Sequence, residues 1–122
     1  MGITKKEIQD FLSKNETTLK FEKLIKKNEF YLFDDYNLNQ NAFYVKFESV
    51  KNIGQWNSKK IYFDEIVELF NNQEIRRTDF NRICLNTLKS GGCGFAVIIS
   101  LLTQMDKGSY LGSTKGFRKN GK

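Results

Sequence analysis

Apolar and polar positions along the chain follow two different periods. Thr4-Lys5-Lys6-Glu7 has the spacing of a capping box, and Ile8, Phe11 and Leu12 follow at helical intervals, which predicts a short amphipathic helix over 4–14. Leu19, Phe21, Leu24 and Ile25 make an apolar stripe beside Lys20, Lys23, Lys26 and Lys27, and this predicts a second helix over 17–27. The basic residues near its end suit the helix dipole and need no ligand to explain them. Residues 29–33 are rich in aromatics and read as a strand, followed by a polar loop over 34–41. From Ala42 to Val50 the pattern alternates, with Phe43, Val45 and Phe47 on one face and Tyr44, Lys46 and Glu48 on the other. These two strands are expected to pair as an antiparallel hairpin. Residues 52–58, which hold Trp56, read as the next loop.

The second half reads mainly as helix. Residues 59–63 fit a short strand or a helix start, and Asp64 can cap a helix carrying Ile66, Val67, Leu69 and Phe70. Ile75-Arg76-Arg77 reads as extended, and Thr78 or Asp79 then caps a helix bearing Phe80, Ile83, Cys84 and Leu88. After the glycine-rich Ser90-Gly91-Gly92-Cys93-Gly94 comes an ambiguous apolar run. As a helix it aligns Phe95, Ile98, Ile99, Leu102 and Met105 on one face. As a strand it offers Val97-Ile98-Ile99 and a turn at Asp106-Lys107-Gly108. The five helical matches favour the helix. No charge occurs from Ser90 to Gln104, so the run belongs to the core. The expected fold is one small α+β domain with two N-terminal helices, a central antiparallel hairpin and a mainly helical C-terminal half.

Charge divides the chain differently. Lys107, Lys115, Arg118, Lys119 and Lys122 face no acid between 107 and 122, whereas the preceding residues are close to neutral against a total of +6. The expected organisation is a globular body over 1–106 and a basic, glycine-rich arm over 107–122. Such an arm points to a polyanionic partner, most often nucleic acid. Tyr110 and Phe117 lie among its cations, pairing charge for phosphates with rings for base stacking. Arg76, Arg77, Lys59 and Lys60 extend the patch if the fold brings them to the same side.

Composition narrows the classes further. A chain of 122 residues is one domain with a modest core. Cys84 and Cys93, nine apart, make no disulfide framework and suit a reduced, cytoplasmic setting. The first residues carry no apolar leader, and Phe95–Leu102 is too short to span a membrane. The absence of proline and the abundance of lysine and asparagine fit an AT-rich coding sequence, such as that of a phage or mobile element.

Candidate chemistry is sparse. The lack of histidine removes the commonest general base and zinc ligand. The glycine-rich loop fits neither the P-loop nor the dinucleotide fingerprint, and glycine there serves close packing. Cys93 and Cys84 lack a histidine to activate them and read as small buried residues. Residues 95–105 offer only Ser100, Thr103 and Gln104 as polar groups, too few for a helix that reads a DNA groove. Asp34, Asp35, Glu48, Asp64, Glu65, Glu68 and Asp79 could hold a metal, but Glu48 and Lys51 are three apart, which strand alternation sends to opposite faces. No metal site and no cofactor are implied. The sequence therefore reads as a small cytoplasmic nucleic-acid-binding protein rather than an enzyme, with Lys107, Tyr110, Lys115, Phe117, Arg118, Lys119, Lys122, Arg76, Arg77, Lys59 and Lys60 as contacts and DNA or RNA as the partner. Two other readings stand beside it. One is a histidine-independent ribonuclease built from Arg76, Arg77, Arg82, Arg118, Tyr110 and Gln104. The other is a protein-interaction factor that inhibits a host enzyme through its Asn-rich and Trp56 loops.

Overall fold

A helix, a four-stranded sheet, four further helices and a closing hairpin follow one another in the computed structural model, which describes residues 2–15, 19–22, 30–37, 41–48, 54–72, 75–89, 94–112 and 114–120. Helix α1 (Lys5–Asn15) starts where the capping spacing predicts, with the Glu7 N–H donating to Thr4 Oγ1 at 3.1 Å. Its Ile8 and Leu12 are buried.

The expected second helix is not formed. Residues 20–22 are instead strand β1 (Lys20–Glu22), and the remainder of that prediction, 17–18 and 23–27, lies outside the described residues. The reason is a period of two hidden in a stripe that also fits a helix. Leu19 and Phe21 are buried, and Lys20 and Glu22 between and after them are exposed. The central hairpin grows accordingly into an antiparallel meander of β1, β2 (Phe30–Asn37), β3 (Ala42–Glu48) and β4 (Trp56–Tyr62), in that spatial order. Residues 34–37, expected in a loop, belong to β2, and a bulge between Phe33 and Asp35 adjusts its register to β3.

Register sorts the sheet into two faces. Phe43 opposes Ile61 and Val45 opposes Lys59, while Phe21 opposes Tyr31. Phe21, Tyr31, Phe43, Val45 and Ile61 are buried. Rings interlock on this inner face, with centroids 6.1 Å apart for Phe21–Phe43, 6.2 Å for Phe33–Phe43 and 5.6 Å for Phe43–Phe63. Helices α2 (Phe63–Asn71), α3 (Arg77–Ile83), α4 (Leu85–Lys89) and α5 (Gly94–Gln104) complete the core, to which Ile66, Leu69, Phe80, Val97, Ile98 and Leu101 contribute. The apolar run after the glycines is thus helical. It is tied to the sheet edge by Ser100 Oγ, which accepts from the Glu22 N–H at 3.1 Å, and by Gln104 Nε2, which donates to the Lys20 carbonyl at 2.7 Å.

The helix expected from Thr78 onward is two helices, broken where Cys84 takes φ −93° and ψ 57°. Glu65 holds the second one in place. Its carboxylate is buried and accepts the N–H groups of Asn86 at 2.9 Å and Thr87 at 2.8 Å, which would otherwise be unpaired at the start of α4. Ser90 to Cys93 lie outside the described residues, but Gly94 shows the close packing expected of a glycine there. A Cβ on Gly94 would sit 2.5 Å from Thr87 Cγ2 and 3.2 Å from the Phe80 ring. Among the described residues no helix is long and apolar enough to cross a membrane.

Candidate functional site

The basic C-terminal segment folds as an antiparallel hairpin of β5 (Gly108–Tyr110) and β6 (Phe117–Lys119) against the body. Asp106, at φ 61°, reverses the chain after α5. Tyr110 opposes Phe117, and Phe117 is only 4% exposed. The Phe117 N–H donates to the Ile75 carbonyl at 2.8 Å, so the extended residue Ile75 adds to the edge of the hairpin. This contact requires glycine at 116. The backbone there has φ 71°, and a Cβ would fall 2.5 Å from the Ile75 carbonyl oxygen.

The bridge at Ile75 brings Arg76 and Arg77 beside the hairpin. The Arg76 N–H donates to Asp79 Oδ2 at 3.0 Å, fixing the first turn of α3. The Arg77 guanidinium lies 5.0 Å from the Phe95 ring centroid, and Tyr110 meets the same ring edge-on at 6.2 Å. Strand alternation turns Arg118 outward, and Lys115 is exposed near the tip. Arg77, Lys115 and Arg118 are thus exposed cations carried on the hairpin or just after the Ile75 bridge that joins its edge.

Other cations of the segment are committed inward. Lys107 Nζ contacts the Glu7 carboxylate. Lys119 Nζ donates to the Phe70 carbonyl at 2.6 Å and lies 5.0 Å from the Phe70 ring centroid. Phe117 is core, and Tyr110 is half-buried. Lys122 lies outside the described residues.

Lys59 and Lys60 belong to the other sheet. Consecutive strand residues point to opposite faces, so only Lys60 reaches the outer one. There it lies 5.9 Å from the Tyr44 ring centroid and 5.2 Å from that of Tyr62. Lys59 lies at the margin of the inner face, 5.7 Å from the Phe47 ring. The pairing of lysine and ring recurs across the outer face. Lys46 is 5.8 Å from the Trp56 ring and Lys20 is 5.5 Å from that of Phe30. Phe30 and Trp56 are 41% and 50% exposed, which puts two of the large exposed apolar side chains on a single sheet face. Sequence reasoning missed this group. The alternation of 42–48 pointed to it, but the strand character of 20–22 and 56–58 did not stand out.

Catalytic alternatives gain little from the geometry. Among the described residues no group of three acid or cysteine side chains is arranged to hold a metal ion. Burial, with the nearby Glu65 and Glu68 charges adding to it, pushes the Cys84 thiol up to about 12, and its Sγ lies 3.5 Å from the Glu65 carbonyl. Such a thiol is not a nucleophile at neutral pH. Cys93 lies outside the described residues. Gln104 is bonded to β1, and Arg77, Arg118 and Tyr110 sit at the hairpin. Asp64 is held below the usual carboxylate range by a hydrogen bond from the Asn41 side chain, partly opposed by desolvation and helped by Lys5 at 3.3 Å. Comparison with protein-family models, curated proteins and solved structures found no match to this chain.

Proposed function

We propose that the protein binds nucleic acid and that the hairpin surface contacts phosphates. The observation that supports this most is that Lys115 and Arg118 are exposed on the hairpin and that the bridge between Ile75 and Phe117 brings the chain carrying exposed Arg77 to its edge. These cations come from two separate parts of the chain, and two of them lie in the strongly basic C-terminal segment. Asp79, the acid nearest Arg77 in sequence, is occupied by the Arg76 N–H and by Arg82 at 3.1 Å. Phosphate contact by such side chains is sequence-independent and releases counterions.

Affinity for DNA and RNA strands should therefore fall steeply with salt. Replacing Arg77, Lys115 and Arg118 by glutamine should lower the slope of log affinity against log salt by about two to three. An unchanged slope would remove the hairpin surface from the interface. Substitution is a better test than deletion, because removing residues 107–122 would also strip Phe117 from the core.

A further inference from the structure

The hairpin surface offers charge but little ring area, since Phe117 is buried and Tyr110 packs on Phe95. The outer face of the four-stranded sheet offers the reverse. Along β3 the positions on this face are Ala42, which is buried, then Tyr44, Lys46 and Glu48, and along β4 they are Trp56, Ser58, Lys60 and Tyr62. No acid stands among Tyr44, Lys46, Ser58, Lys60 and Tyr62, while at the Trp56 end Glu48 is the register partner of Trp56 and Glu22 that of Phe30. On β2, Asp35 pairs with Tyr44 and Asp34 is 4.0 Å from Lys46.

The geometry points to a base-stacking platform for single-stranded nucleic acid on this face, an inference that rests on the nucleic-acid reading above. Each exposed ring has an ammonium within 6 Å, as a nucleotide needs when its base stacks and its phosphate is neutralised alongside. The β4 strip from Trp56 to Tyr62 spans about 20 Å, enough for a short run of bases.

A duplex is the wrong shape for the same face. Its bases are already stacked on one another. A four-stranded sheet, about 14 Å between outer strands before side chains are added, is also too wide for a major groove of about 12 Å. Bases must be unstacked to lie on Trp56 and Phe30, which selects single strands.

The test is fluorescence anisotropy of labelled oligothymidylate, a matched abasic strand and a duplex, at one low salt concentration, with wild type, Trp56→Ala and Phe30→Ala. Both rings are exposed, so both variants should keep the wild-type circular dichroism and melting profile. Wild type should bind oligothymidylate more tightly than the abasic strand. Each variant should lose about tenfold on oligothymidylate and nothing on the abasic strand or the duplex. Equal binding of oligothymidylate by wild type and both variants would overturn the platform and leave the phosphate reading standing. No binding of any strand by wild type would overturn both. If the substitutions change only the oligomeric state, the face joins two copies of the chain and the platform is likewise overturned.

Discussion

The two sheets carry similar residue types and use them in opposite ways. In the hairpin, the ring of Phe117 is core, and Lys107 and Lys119 are turned to Glu7 and to the Phe70 carbonyl. On the outer face of the four-stranded sheet, Trp56 and Phe30 are half-exposed, and Lys46 and Lys20 lie over them. A basic and aromatic composition is thus not itself an interface. What separates structural from available side chains is alternation. In β6 the odd positions 117 and 119 face the body and only Arg118 faces out, whereas in β4 the even positions 56, 58, 60 and 62 all lie on the uncovered side.

Stability should expose this contrast most strongly. Phe117→Ala opens a cavity in the core and should cost about 3–5 kcal/mol, whereas Trp56→Ala should stay within about 0.5 kcal/mol, both read by denaturant unfolding. Comparable losses at the two positions would erase the distinction. Gly116→Ala should cost more than about 1 kcal/mol, because alanine must adopt a positive φ and its methyl group meets the Ile75 carbonyl. The detachment should also appear as faster amide exchange at Phe117, whose N–H bonds that carbonyl. Within β6 itself, Lys119→Gln should lower stability by about 1 kcal/mol and Arg118→Gln should not, while only Arg118→Gln should flatten the salt dependence of binding.

Two smaller effects sharpen the picture of the body. In a Cys93→Ser background, Cys84 should resist a thiol reagent at neutral pH until the protein unfolds, because burial disfavours its thiolate. Asp64 has a lowered folded value, so its contribution is present above the unfolded value and is lost as pH falls through the folded one. The group is exposed, so Asp64→Asn should flatten the acid limb of the stability profile only slightly.

Much of the fold could be read where one period dominates. The capping spacing at Thr4 and Glu7 located α1, the alternation of 42–48 located β3, and five aligned apolar positions located α5. The reading failed where the pattern serves two periods or none. Leu19 and Phe21 alternate, but Leu24 and Ile25 complete a helical stripe, so β1 was expected as helix. In β4 only Ile61 is buried, so residues 56–60 carry no apolar alternation and Trp56 resembles loop. That same exposure puts its ring on the surface. The Glu65 cap was invisible because its two N–H partners are 21 and 22 residues away. For the site, charge alone drew attention to Arg76 and Arg77, but their place beside the hairpin depends on a bridge from Ile75 to Phe117. Lys60 and Lys59 looked like one pair and are divided between two faces by the strand.

The division between a structural hairpin and an available sheet face can be read from one fluorophore. Trp56 is the sole tryptophan, and it stands on the proposed platform. Titrating the wild-type protein with oligothymidylate should quench and shift its emission saturably, while a duplex that binds through the hairpin surface should leave the emission unchanged. Unaltered Trp56 emission at saturating, independently verified oligothymidylate binding would contradict the account.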